Sequence, residues 1–407
     1  MKRIAIKNIC EVYDGPHATP KKTETGPVYL GIDAITEDGM LDSSQFSYLS
    51  KEDYIKWTKR VVPQENDIVF SYEATLGKYA LIPRGFYGCL GRRLAIIRVI
   101  SEEIDAKWLY YYFRSPEWNA FIKNQTVKGS TVDRISVEEF PNYTIPVISL
   151  KNQKKMVAVL EKIDAKIRTN NKINDYLEEM AKTIYDYWFI QFDFPGENGN
   201  PYKSSGGKMS FCNELNREIP QNWNYTSIGN ITICLDSERI PLSNQQREGM
   251  KGSIPYYGAT GIMDYVNRPI FSGNFVLLAE DGSVMDDNGN PILQRVSGDV
   301  WINNHTHVLQ PVKGYSCRLL YLLLKDIPVS IIKTGSIQMK INQANLNNYN
   351  ILSIPDAIRT QFINCVEPLD TKIMQIQQEN NNLIQFRDWL LPMLMNGQAT
   401  IEDCCDK

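Results

Sequence analysis

The 407-residue chain lacks most of the marks of an enzyme. It has no dinucleotide-binding glycine loop and no Walker phosphate loop. "SSGGK" misses the required G-x-x-x-x-G-K-[ST] spacing, and "NPY" lacks the second proline of an amino-methyltransferase loop. The eight cysteines never fall at C-x-x-C spacing, and Cys404 and Cys405 sit in a polar tail, a pattern of free thiols in a reducing cytosol. The longest apolar run, "RLLYLLLKDIPVSII", is broken by Lys325, Asp326 and Pro328 and is not a bilayer span. The N-terminus "MKRIAIKNIC" has no apolar signal core, so the expected location is cytoplasmic. A formal net charge of −3 decides nothing about nucleic acid, because a DNA-binding face is a local property.

What the chain does have is a repeat. "GSTVDRIS" begins at Gly129 and "GSIQMKIN" at Gly335, an interval of 206 residues. At that offset Ile135 meets Ile341, Tyr143 meets Tyr349 and Ile145 meets Ile351. Further on, Asp164 meets Asp370, Ile167 meets Ile373, Asn174 meets Asn380 and Leu177 meets Leu383. Constant register over some sixty residues means duplication, and two copies of long period imply two similar halves related by a pseudo-two-fold.

Each half begins with short β-rich runs bounded by turn signals and contains one helix before the repeated motif. In the first half that helix is expected to run through "DAKWLYYYFRSPEWNAFIKNQ". After the motif comes a long polar helix of about 33 residues, about 50 Å at 1.5 Å per residue. The seam of the first carries Leu160, Ile163, Ile167, Asn174 and Leu177; that of the second carries Val366, Leu369, Ile373, Asn380 and Leu383. Alternating three-four spacing predicts an antiparallel coiled-coil pair, with the seam asparagines fixing register. "EKIDAK" (Glu161–Lys166) lies on this helix and reads as a solvated charged face rather than a nuclease motif. A Gly, Ser, Asn and Pro-rich stretch marks a linker between the halves. The expected fold class is α/β (α+β).

Candidate contact residues are polar or basic and lie in the globular parts. "VWINNHTHVL" is expected to be one strand, with Asn303, His305 and His307 on one face. Asn and His offer donors and acceptors to bases or phosphates. The same residues also suit a structural polar cluster, and the H-x-H pair a metal site. No carboxylate or Cys close in sequence completes a metal site, so none is assigned. Arg92 and Arg93 fall on the roughly corresponding strand of the first half; neighbours there point to opposite faces, so at most one reads DNA from the strand. His17, Lys21 and Lys22 lie in a turn-rich loop suited to phosphate contact, or simply to solvent. No catalytic residue and no cofactor is assigned. The helix ends "IYDYWFI" and "FRDWLLPMLM" carry more apolar surface than one seam buries, which suggests a docking face.

Together, "DGPHATP", "GSTVDRIS", "IPYYGATGI", "LLAEDGS" and "VWINNHTHVL", with the linker and the paired helices, resemble the specificity subunits of type I restriction-modification systems. The resemblance covers most of the chain; Asn347, where the first half has Pro141, is a mild departure. It implies target-recognition domains at 1–150 and 221–355, spacer helices at 151–191 and 356–397, a linker at 192–220 and a polar tail at 398–407. It implies a non-catalytic reader of bipartite double-stranded DNA that holds two methyltransferase subunits and, in the full complex, motor-nuclease subunits, with no membrane partner. The rival classes are a protein-binding coiled-coil scaffold and a fused methyltransferase or nuclease.

Overall fold

A computed structural model describes residues 2–36, 38–127, 133–196, 198–335, 339–395 and 398–399. The fold is α+β. By contacts the chain divides into two units, one running to Thr169 and taking in residues from Asn380, the other Asn170–Glu379. Each unit therefore contains one globular half and a segment of both long helices, Leu150–Tyr185 and Asp356–Met395.

In the first unit a four-stranded sheet has the order Cys10–Asp14, Leu94–Val99, Ile68–Ser71, Tyr79–Leu81, all pairs antiparallel. Alternation along its central strands serves two cores. Ile68, Phe70, Ala95 and Ile97 face one cluster, and Val69, Leu94 and Ile96 face another, so both sides of the sheet are buried. The expected single helix is two, Ala106–Phe113 and Pro116–Gln125. Pro116 has no N–H to continue the first, and the Ser115 side chain caps the second by accepting from the Trp118 N–H. Trp118 packs on Phe113 and Phe140 and donates its indole N–H to Tyr79 at 2.8 Å.

The second unit has a six-stranded sheet in the order Thr232–Cys234, Thr306–Pro311, Phe271–Ala279, Leu293–Ile302, Lys251–Gly258, Gly261–Val266. Val276, Leu278 and Leu309 face the larger core beneath helix Cys317–Lys325, while Leu277, Val300 and Val308 face a smaller one. The segment that joins the halves is folded rather than loose. Phe192, Phe194, Cys212 and Ile219 are buried in the larger core, and Met209–Cys212 pairs with Arg217–Pro220 as a hairpin.

Both halves close in the same way. Lys2–Ala5 pairs antiparallel with Thr144–Val147, and Asn224–Ser227 pairs antiparallel with Asn350–Ser353. The two closing strands keep the 206-residue offset, and each is followed at once by its long helix.

The helices are held to their own globular halves by apolar and ionic contacts. In the first unit Leu160 shares a core with Leu391 and Leu394. Asp164 is not on a solvated face: it accepts from Tyr111 Oη at 2.5 Å and from Arg387 Nη1 at 3.0 Å. In the second unit Phe189 and Phe362 meet at 4.9 Å, and Asp370 accepts from Arg318 Nε at 3.0 Å. Of the seam residues, Leu160, Ile163, Ile167, Val366, Ile373 and Asn380 are buried, while Asn174, Leu177, Leu369 and Leu383 are half-buried. No helix among the described residues is long and apolar enough to cross a membrane.

Candidate nucleic-acid interface

"VWINNHTHVL" is not one strand. It is the end of Leu293–Ile302, a turn, and the start of Thr306–Pro311. The Asn303 side chain makes the turn: its Oδ1 accepts from the His305 N–H at 2.9 Å, a local bond that competes with the ladder. The alternation expected from the sequence therefore breaks at Asn303. Arg92 and Arg93 likewise lie in the turn before Leu94–Val99, not on a strand, and Arg93 takes a left-handed φ of 70°.

These two turns are the same place in the two halves. In the first, the Tyr72 N–H donates to the Arg93 carbonyl at 3.1 Å and the Ile135 N–H to the Tyr72 carbonyl at 2.8 Å. In the second, the Glu280 N–H donates to the His305 carbonyl at 2.9 Å and the Ile341 N–H to the Glu280 carbonyl at 2.9 Å. Side chains follow the backbone. Arg93 Nε lies 3.0 Å from Glu73 Oε1, and His305 Nδ1 lies 2.6 Å from Asp281 Oδ1. The Glu73 backbone pairs with that of Arg134 in an isolated antiparallel β-bridge, and Asp281 pairs likewise with Lys340, whose ammonium lies on Glu280. Each half thus presents a turn with a cation-capable side chain, a carboxylate beside it, and a basic residue of the repeated motif paired with that carboxylate's backbone. Residues 129–132 and 336–338 of that motif lie outside the described residues.

The first half adds a basic loop. Lys21 and Lys22 are exposed, and His17 is 65% exposed with Nε2 at 2.9 Å from Asp14 Oδ2. Beside them is a cleft of about 500 Å³ lined by Asp14, His17, Lys56, Trp57, Lys59 and Arg60. Arg92 is exposed and Arg93 half-buried. In the second half only His305 of the expected trio is accessible. Asn303 is buried, its N–H donating to the Tyr257 carbonyl, and His307 is buried between Asp236 and Ile341. Both brace the turn from inside.

Several partners here were not found from sequence. Asp236 and Cys234 approach His307 from a strand edge some seventy residues away, and nothing local marks them. Glu280 is read through its surroundings. Burial would raise its carboxyl, but hydrogen bonds from Lys340 (2.8 Å) and Arg239 (2.6 Å) and the charge of His307 hold it below the usual range. It is an ionised brace.

The chain matches the family described as "Type I restriction modification DNA specificity domain" over residues 1–179 and 220–385. It is 25% identical to the type I restriction enzyme MjaIX specificity subunit of Methanocaldococcus jannaschii, over 98% of this chain and 93% of that one. It is 24% identical to the type I restriction enzyme EcoprrI specificity subunit of Escherichia coli, over 85% and 82%. The crystal structure of the type I restriction-modification S subunit from M. genitalium shares the fold, with a TM-score of 0.50 at 16% identity, covering 97% of this chain and 95% of that one. Two repeated halves, two long helices and a match spanning most of both place the chain in the type I restriction-modification DNA specificity family, as a non-catalytic subunit that carries DNA specificity.

Proposed function

We propose that each globular half reads one half of a bipartite double-stranded DNA target. The carrying observation is the duplicated cluster: Arg93, Glu73 and Arg134 in one half, and His305, Asp281 and Lys340 in the other, joined by matching backbone hydrogen bonds. On this reading the recognition domains are residues 1–150 and 221–355. The contact set is His17, Lys21, Lys22, Arg92, Arg93 and His305, with Asn303 and His307 acting from behind. Lysines supply sequence-independent phosphate contact, and the turn side chains reach base edges. The same backbone scaffold with different side chains at its tip would give two different half-sites.

The two long helices would form an antiparallel, pseudo-two-fold coiled-coil frame that sets the gap between half-sites. Two methyltransferase subunits would dock on it, and motor-nuclease subunits would join in the full complex. Support comes from apolar residues left exposed on both helices. Tyr176 and Met180 on the first are 65% and 51% exposed; Phe386 and Trp389 on the second are 48% and 55% exposed and stack on each other. Met180 and Phe386 are equivalent in the repeat, as two copies of one partner require. Sequencing the methylome of the host with and without this gene tests the reading. A bipartite methylated motif that vanishes with the gene is the expected result, and an unchanged methylome would refute it.

A further inference from the structure

The two reading turns are braced differently. In the first half Asp14 pairs in register with Ala95. At the matching place in the second half stands His307, whose Nδ1 lies 2.5 Å from Asp236 Oδ2 and whose Nε2 lies 3.0 Å from the Ile341 carbonyl oxygen. A neutral imidazole has one donor and one acceptor. Both neighbours are acceptors, and with the residue 2% exposed, water cannot mediate. Burial would raise the Asp236 carboxyl, but the His307 hydrogen bond and charge and the Val308 N–H hold it below the usual range, and against a carboxylate and a carbonyl a ring protonated on both nitrogens satisfies the pair.

The surroundings fit that charge. From the strand-edge loop come Asp236, Arg239 and the Cys234 thiol; from the end of Phe271–Ala279 comes Glu280, 3.9 Å from Nδ1; from Lys340–Ile341 come the Lys340 ammonium and the carbonyl. Burial, reinforced by the Asp236 charge, pushes the thiol up to about 12 and keeps it neutral. A metal ion is the other way to fill the space, since Cys234, Asp236 and His307 offer ligand atoms within 4.8 Å of one another. Zinc would hold nitrogen and oxygen ligands at roughly 2.0–2.2 Å each, hence roughly 3.4 Å apart at a tetrahedral angle. The observed 2.5 Å is the separation of a direct hydrogen bond, closer than two ligands of one zinc ion stand.

We propose that His307 is a positioning residue held as an imidazolium, and that it fixes the 303–305 turn so that its deprotonation weakens recognition by the second domain as the pH rises. This rests on the DNA reading above. The Asp236 loop reaches the turn directly, because Arg239 Nη1 donates to the Asn304 and Thr306 carbonyls at 3.3 and 2.8 Å. The neutral ring keeps its Nδ1–H on the Asp236 carboxylate, so losing the proton leaves the Nε2 lone pair against the Ile341 carbonyl oxygen. Shifting Lys340–Ile341 relieves that repulsion and releases the turn, because the Ile341 N–H donates to the Glu280 carbonyl and the Glu280 N–H to the His305 carbonyl. Burial alone would lower the His307 value, but the Asp236 hydrogen bond and charge, the Ile341 carbonyl and the Glu280 charge outweigh it and raise it. A raised folded-state value means that the stabilisation is complete below the ordinary histidine range and is lost as pH climbs through the raised value.

The test uses the full chain labelled with 15N-histidine. Only three imidazoles are present, and His17→Gln and His305→Gln assign the other two. The expected result is that the ring assigned to His307 carries a proton on both nitrogens at neutral pH. A bare nitrogen on His307 at neutral pH overturns the proposal. So does stoichiometric zinc that is lost in Cys234→Ser. In the second arm, the chain assembled with its methyltransferase subunits is titrated against DNA mismatched in one half-site at a time. In a His17→Gln, His305→Gln background, discrimination at the second half-site should fall about tenfold, one base contact, from pH 6 to 9, and should be low at every pH in Asp236→Asn, compared below that variant's own melting transition. Equal loss at both half-sites overturns the positioning role. If the assembled wild type discriminates neither half-site, the DNA reading itself fails and the functional half of the proposal with it, whereas the protonation result is independent of DNA.

Discussion

Arg387 on the second long helix donates from Nη1 to Asp164 on the first, at 3.0 Å, with the two side chains only 8% and 12% exposed. Tyr111 of the globular half donates to the same carboxylate. One buried carboxylate therefore ties three elements of its unit. Its repeat partner Asp370 ties three elements in the other unit, accepting from Arg318 of helix Cys317–Lys325 and pairing with Arg295 of strand Leu293–Ile302.

Removing one partner strands a buried charge. Arg387→Met should destabilise the first unit by about 3–5 kcal/mol. Adding Asp164→Asn should recover part of that loss, because the orphaned charge is then gone as well. Urea unfolding of the single and double variants measures the coupling. Additive losses would show that the pair is not a unit.

The carboxylates at the reading turns should restrain their cations. Glu73→Gln frees Arg93 to seek phosphate, and Asp281→Asn removes the negative charge beside His305. Non-specific DNA binding by the assembled complex is expected to strengthen, with the salt slope steeper by up to about 0.9 per freed charge. Lys21→Ala with Lys22→Ala should do the reverse across all sequences. Fluorescence titrations over a salt series distinguish the two, and unchanged slopes would remove these residues from the interface.

Exchange of residues 1–150 for the first domain of another family member should change one half of the methylated motif and leave the other as it was. A chimera in which both halves change would contradict one half-site per domain.

Helix length should act as a ruler. Four residues add about one turn, about 6 Å, against 3.4 Å per base pair along a strand. An insertion near Asn170 is expected to lengthen the gap by about one or two base pairs. A matching insertion near Ile376 should restore the register and give the fuller change. An active variant with the original gap would move the ruler to the methyltransferase subunits.

Much of the frame was legible in the sequence because it repeats locally. The offset of 206 residues recovers the closing strands and both long helices, whose seams depend only on three-four spacing. The 303–305 turn is not legible, because Val300–Leu309 alternates well enough to hide the side-chain bond that bends it at Asn303. Pro116 did signal a boundary, and the apolar spacing on either side concealed it. The braces were out of reach. Asp236 meets His307, and Arg318 meets Asp370, across long stretches of chain with no motif to pair them. Ion pairs between distant elements leave no periodicity.

Each globular half enters and leaves the frame through two neighbouring antiparallel strands, Lys2–Ala5 with Thr144–Val147 and Asn224–Ser227 with Asn350–Ser353. Both ends of the insert are therefore at one socket, and everything between them can be exchanged as a cassette without respacing the remainder. In genetic terms, a single crossover within the duplicated closing strands and helices joins the front of one allele to the back of another in frame. On the proposed reading, new combinations of half-sites would then arise by shuffling, with the long helices left unchanged.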